Sequence, residues 1–139
     1  MAQAKEGGCM CGAVRYRVEG DPLAVVNCYC TDCQHVSGGA FVTALLLPRP
    51  AVTVTKGKAT GFSKPADSGD TVTRSFCRDC GAPLFSELSA NPNLMVVKLG
   101  SLDDPKPFSP SMSIWTGSAL RWAQIDPNLP QFPKNPPLG

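Results

Sequence analysis

The sequence offers little to a nucleic acid or to a membrane. Its formal charge is +2, and the charged residues, 17% of the chain, are scattered. No basic block or stripe marks a polyanion-binding face. No apolar run approaches the roughly 18 residues that a membrane-spanning helix needs. The start, Met1 to Gly8, is polar and lacks the apolar stretch of a secretory signal. No internal repeat and no inter-domain linker are visible. Histidine is nearly missing, His35 being the sole one. These absences leave a single domain over 1–139, with a cytoplasmic location as the expectation. Neither nucleic acid nor membrane is expected as a partner. A hydrophobic content of 42% fits a globular chain, and 139 residues supply one core rather than two.

Sulfur, by contrast, is plentiful. Seven cysteines are present. A reducing compartment argues against a disulfide framework, and an odd count argues against full pairing. Metal binding is the remaining common use. Seven thiolates holding two zinc ions add about −3 to the charge. The apparent basicity is therefore no signal for a partner.

Strand patterns dominate. Val14, Tyr16 and Val18 alternate with Arg15 and Arg17. Residues 41–47 are nearly continuous in apolar side chains, as in a strand buried on both faces. Residues 51–55 and 71–76 alternate again, and 94–99 is a second buried-strand candidate. Turn-forming residues separate these runs. One short helix is predicted over 32–37. Thr31 and Gln34 form a capping-box pattern before it, and Gly38-Gly39 ends it. Residues 1–6 are expected to be a flexible start. A proline-rich tail, 126–139, is expected to be stiff and extended, with Leu129 and Phe132 able to dock on the body.

The cysteines form three clusters. Cys9-Met10-Cys11-Gly12 and Cys77-Arg78-Asp79-Cys80-Gly81 read as matched knuckles. In each, glycine permits a positive φ and lets backbone amides approach the sulfurs. Four thiolates from Cys9, Cys11, Cys77 and Cys80 complete a tetrahedral zinc site that staples two distant parts of the chain. Buried unliganded cysteines, or iron in the same four-thiolate geometry, are the alternatives. The middle cluster, Cys28, Cys30 and Cys33, supplies three ligands and leaves no fourth cysteine. Three ligands and an open position are the mark of a catalytic or substrate-binding zinc. Cys33 falls in the first turn of the predicted helix, where the dipole favours a thiolate. Closure by His35 is the alternative, although on a helix that side chain points about 200° away from Cys33. A reactive thiol cluster without metal is another.

At these residues the chain resembles the glutathione-dependent formaldehyde-activating family, also called centromere protein V-like. The shared pattern is C-x-C-G, then C-x-C-x-x-C followed by Ser37-Gly38-Gly39-Ala40-Phe41. After it come Phe76-Cys77-x-x-Cys80-Gly81 and a tail running from Trp122 to Phe132. The resemblance implies a mainly β, Mss4-like fold of twisted antiparallel sheets, stapled by zinc and carrying one short helix. It implies the same division of two zinc ions per chain: structural at Cys9, Cys11, Cys77 and Cys80, catalytic at Cys28, Cys30 and Cys33. The implied activity is that of a carbon–sulfur lyase acting on a small thiol adduct such as S-hydroxymethylglutathione. A small-molecule thiol, glutathione a candidate, is the implied partner. Relatives carry histidine where this chain has Ser113 and Tyr29, and basic residues where it has Gln34 and His35. Ser113 and Gln34 thus remove groups able to contact a charged ligand.

Other candidates divide between site and scaffold. Asp32 and Asp79 are expected to be turn or cap residues. His35 is expected on the helix surface, with a proton-carrier role as the alternative. Arg15, Arg17, Arg74 and Arg78 either bind substrate carboxylates or sit on solvated strand faces. Phe41 and Trp122 are expected in the core, and Trp115 in a pocket. Two competing functions remain: a non-catalytic zinc-binding interaction module, and a metal or thiol buffer.

Overall fold

A computed structural model of the chain describes residues 5–136. Alternation builds the smaller sheet. β1 (Lys5–Gly8) and β2 (Arg15–Val18) form a hairpin, and β5 (Val52–Lys56) pairs with the other edge of β2. Val14, Tyr16 and Val18 are buried, as the alternation predicts. Arg15 donates to Asp103 Oδ1 at 2.9 Å, and Arg17 pairs with Glu19 at the surface. The expected flexible start does not reach Lys5 and Glu6. Their backbones ladder with Val18 and Arg17, which satisfies their amides and carbonyls in β1. Residues 1–4 lie outside the described residues.

The larger sheet has eight strands. Across it run β11 (Gln131–Phe132), β10 (Met112–Ile114), β3 (Ala24–Cys28), β4 (Val42–Pro48) and β9 (Asn91–Lys98). It continues through β8 (Pro83–Leu88), β7 (Thr71–Phe76) and β6 (Thr60–Pro65). The pairing is antiparallel except at one edge, where β10 runs parallel to both β3 and β11. That edge comes from the tail. Gln131 and Phe132 ladder onto Ser113 and Ile114, so the tail docks as a strand. Phe132 packs into the core and Leu129 is half-buried. Residues 137–139 lie outside the described residues.

β4 explains its own apolar run. Leu45 and Leu47 face the smaller sheet, where they meet Tyr16, Val18, Phe85 and Val97. Ala44 and Leu46 face the other way, into a second core with Val26, Leu94 and Ile114. A strand buried on both faces reads as a nearly continuous apolar run, and its one polar residue, Thr43, donates to Asn27 Oδ1 at 2.6 Å. Two aromatic expectations fail. Trp122 is 72% exposed and Phe41 is 40% exposed. Trp122 lies in irregular chain between the 3-10 turn Thr116–Ser118 and β11, and its indole stays in solvent. Phe41 falls one residue before β4, and its ring rests on Tyr29 at a centroid distance of 5.1 Å.

Candidate metal centres and the adjoining cavity

The first cluster grows out of two similar turns. Gly12 and Gly81 have φ of 82° and 77°, the left-handed conformation the knuckle requires. In one turn the Gly12 amide donates to the Cys9 carbonyl at 3.3 Å and the Cys9 amide to the Val14 carbonyl at 3.1 Å. The other repeats both bonds, Gly81 to Cys77 at 2.7 Å and Cys77 to Ala82 at 3.1 Å. The turns join β1 to β2 and β7 to β8, so the cluster bridges the two sheets. The four Sγ atoms of Cys9, Cys11, Cys77 and Cys80 lie within 4.8 Å of one another. The Cys11 sulfur is 3.7 Å from those of Cys9 and Cys77. A tetrahedral zinc with Zn–S bonds of about 2.3 Å sets its sulfurs roughly 3.8 Å apart, so the spacing fits. Backbone amides favour the thiolate form. The Val14 N–H, 3.2 Å from Cys9 Sγ, pulls that thiol down to about 6. The Ala82 and Cys11 amides pull Cys80 down as well.

The second cluster sits where β3 gives way to α1 (Thr31–Ser37). Cys30, rather than Thr31, is the N-cap. Its Sγ accepts from the Cys33 amide at 3.2 Å. The expected capping box is absent: the helix starts one residue earlier, the Gln34 amide donates to the Cys30 carbonyl at 3.0 Å, and the Gln34 side chain donates to the carbonyls of Tyr29 and Ser118. Gly38, with φ 72°, closes the helix. The Sγ atoms of Cys28, Cys30 and Cys33 lie within 4.8 Å of one another. Among the described residues no histidine or carboxylate joins them. His35 is exposed, as its position on the helix predicts. Hydrogen bonds with Cys28 and Cys33, aided by the Cys33 amide and Arg74, pull Cys30 down to about 2. The same contacts and burial push Cys28 up. Three sulfurs this close concentrate their charge on one member unless a cation shares it. Both donor sets are all-thiolate, which suits zinc or iron.

A cavity of about 130 Å³ opens beside the second cluster, and Cys28, Cys30 and Cys33 form part of its wall. The rest of the wall is mainly the apolar face of the larger sheet. Charged residues gather near the sulfurs. Asp32 lines the cavity and binds Lys64 at 2.7 Å, with Arg74 4.0 Å away. Asp32 is thus more than the cap residue its position suggests. Arg74 is largely buried and its Nε has no hydrogen-bond partner. It is not on a solvated strand face, because it lines the cavity and lies against Asp32. Lys98, unremarked in the sequence, lies at the end of β9, is 8% exposed and donates to Ser86 Oγ at 2.9 Å. Burial pulls its ammonium down, and the charge of Cys33 opposes the shift. A cation closing an apolar run was the signal available for it.

Trp115 does border the cavity, as expected. It has a φ of 57°, in the left-handed region, and its Nε1 donates to Asn135 Oδ1 at 2.7 Å. A bulky residue there holds about 1–3 kcal/mol of strain. Arg15, Arg17, Arg78 and Asp79 lie outside the cavity wall, and Arg78 and Asp79 are exposed. Tyr29, Gln34 and Ser113 lie outside it too. Ser113 is fully buried, and its neighbour Ile114 takes the cavity side of β10. The family departures therefore leave the cavity lining unchanged.

Such a molecule is a small, mainly β protein whose two cysteine clusters are each able to hold a metal ion. Residues 4–118 match the family described as glutathione-dependent formaldehyde-activating enzyme, and the chain belongs to that family. It is 26% identical over 132 residues to a Halomonas elongata protein named "Putative glutathione-dependent formaldehyde-activating enzyme". That match covers 87% of this chain and 80% of the relative. A Rhodobacter sphaeroides protein of known crystal structure shares the fold, with a TM-score of 0.59 and 24% identity, over 73% of this chain and 93% of that one. No helix among the described residues is long and apolar enough to cross a membrane.

Proposed function

We propose that the protein is a zinc-dependent carbon–sulfur lyase acting on a small thiol adduct of the S-hydroxymethylglutathione type. Cys9, Cys11, Cys77 and Cys80 hold a structural zinc. Cys28, Cys30 and Cys33 would hold a second one, with no fourth side chain among the described residues to complete its ligand set. The observation that carries this reading is the second cluster's lack of a fourth side-chain donor among the described residues, together with the cavity beside it. Family membership supports it. Zinc, when bound, lowers the pKa of a thiol and stabilises oxygen charge.

The reaction itself is balanced without a further reagent. A thiol adds to an aldehyde, the S–H bond breaks, a C–S bond forms and the proton passes to the carbonyl oxygen. The reverse step returns that proton to sulfur as the C–S bond breaks. The chain's own residues position and polarise. The Cys33 amide fixes the Cys30 sulfur. Asp32, held by Lys64, stands 4.0 Å from the Arg74 guanidinium. Arg74 and Lys98 place positive charge beside a largely apolar space, where it acts on developing oxygen charge with reduced screening. Orientation of the two reactants supplies much of the rest.

The test is exchange spectroscopy of free and thiol-bound formaldehyde by NMR, with and without zinc-loaded protein. Acceleration by wild type and its loss in Cys30→Ser are expected. If no small thiol, glutathione included, exchanges faster with protein than without, the interaction-module reading replaces this one.

A further inference from the structure

The reaction above gives the cavity wall no task. Formaldehyde carries no carbon beyond the one that reacts, and glutathione is polar along its whole length. Yet Val26, Ala44, Leu46, Leu94, Val96 and Ile114 turn one continuous hydrocarbon face toward the cysteines. These residues come from four neighbouring strands, β10, β3, β4 and β9. A glutathione tail laid on these six side chains would lose water from two carboxylates, an ammonium and two amides, and the six offer those groups no partners. Among the described residues, Arg74 and Lys98 are the only basic side chains in the wall, and both border the sulfur-lined space. They suit one oxygen near the reacting centre rather than two carboxylates at opposite ends of a peptide.

We infer that the cavity binds a compact hydrocarbon group, up to the size of one aromatic ring, carried by the adduct whose carbon–sulfur bond reacts at Cys28, Cys30 and Cys33. Size supports it: a dry apolar cavity of about 150 Å³ accepts benzene, and this one measures about 130 Å³. The inference rests on the proposed lyase reading for the reacting bond, but not for the occupancy of the cavity. The hydrocarbon belongs either to the thiol or to the aldehyde. Each CH₂ buried there is worth about fourfold in affinity. Ala44 marks the place to fill. It is 2% exposed and sits on the cavity side of β4, so a larger side chain there takes up the ligand's space.

Three measurements on the zinc-loaded full chain decide it. Toluene binding, followed by ligand-observed NMR, tests the cavity with no sulfur or carbonyl involved. Calorimetric titration of phenylmethanethiol against ethanethiol and glutathione tests hydrocarbon on the thiol. Turnover of the glutathione adducts of formaldehyde, butanal and benzaldehyde tests hydrocarbon on the aldehyde. The expected result is saturable toluene binding, at least a tenfold preference for the ring-bearing member in one of the other two arms, and loss of both in Ala44→Leu. Val96→Phe serves as a second cavity-filling variant if Ala44→Leu does not fold. No toluene binding, with glutathione binding as tightly as phenylmethanethiol and the formaldehyde adduct turning over fastest, overturns the inference and leaves the lyase standing. Toluene and phenylmethanethiol binding without turnover of any adduct keeps the cavity's ligand class and removes the lyase.

Discussion

The four-cysteine cluster draws its ligands from two hairpins, Cys11 and Cys77 being 66 residues apart. The three-cysteine cluster takes all its sulfurs from residues 28–33. The first joins the smaller sheet to the larger one. The second joins nothing that β3 and α1 do not already connect, and it borders a cavity. Loop closure over a long separation makes metal binding count as folding energy. A cluster inside one short loop returns little of that kind, and its metal is free to serve a ligand. On the proposed function, the difference between sequence-distant and sequence-local ligands separates a cluster that serves stability from one that serves chemistry.

Removing a ligand from each is the most forceful way to break this comparison. Cys77→Ser is expected to abolish the inter-sheet metal and unfold the chain. A structural zinc contributes on the order of 10 kcal/mol in small domains, which matches a whole domain's stability. Circular dichroism and metal analysis together check it. Cys30→Ser is expected to behave differently. Metal content falls by about one ion per chain, the far-ultraviolet spectrum is kept and turnover drops at least 100-fold, about 3 kcal/mol in the barrier. If Cys30→Ser unfolds the protein and Cys77→Ser does not, the assignment is reversed.

Both clusters were legible because a knuckle is a local code. Two cysteines, a tight turn and a glycine with positive φ are written within a few residues, and Gly12 and Gly81 adopt that conformation. The alternation at Val14, Tyr16 and Val18, and the doubly buried β4, were legible for a similar reason, since burial repeats with the strand period. The cavity was not legible. Its wall is assembled by strand order across the sheet, and β10 enters that order by a parallel pairing that no local pattern announces. Arg74 looks like an ordinary surface charge until β7 brings it beside Asp32 and the cysteine-lined cavity. Trp122 misleads in the opposite direction, because an aromatic ring is apolar wherever it lies, and no element covers this one.

Alkaline pH sharpens the contrast on the clamp side. Tyr16 is wholly buried between the sheets, and its hydroxyl lies 2.6 Å from Ser101 Oγ. Burial raises its pKa from 10.0 to about 12. The folded protein therefore resists losing that proton more than the unfolded chain does. The stability involved is complete below pH 10 and is lost as pH rises toward 12. Up to about 3 kcal/mol is at stake over two pH units. Tyr16→Phe should remove this part of the alkaline dependence at a cost of about 1 kcal/mol at neutral pH, from the lost hydrogen bond. Urea titrations of both proteins at pH 8 and pH 11 measure it. Equal slopes of stability against pH would show that the inter-sheet core does not depend on the neutral phenol.

On the cavity side the smallest effect is also the most discriminating. Lys98 is buried and donates a hydrogen bond to Ser86 Oγ at 2.9 Å. Removing its ammonium from water is costly, and nearby Arg74 adds repulsion. A residue kept for stability would not be a cation there. Lys98→Met retains the length of the side chain and removes the buried charge, so stability should hold or rise by about 1 kcal/mol. The same change takes positive charge away from the space beside Cys28, Cys30 and Cys33. Turnover should fall about tenfold, 1.4 kcal/mol in the barrier, with the loss in kcat rather than KM if Lys98 acts on charge that develops during the reaction. Melting temperature and kcat measured on one preparation decide it. A destabilised variant with unchanged kcat would make Lys98 a strut under the larger sheet, and the cavity side would then share the structural character of the clamp.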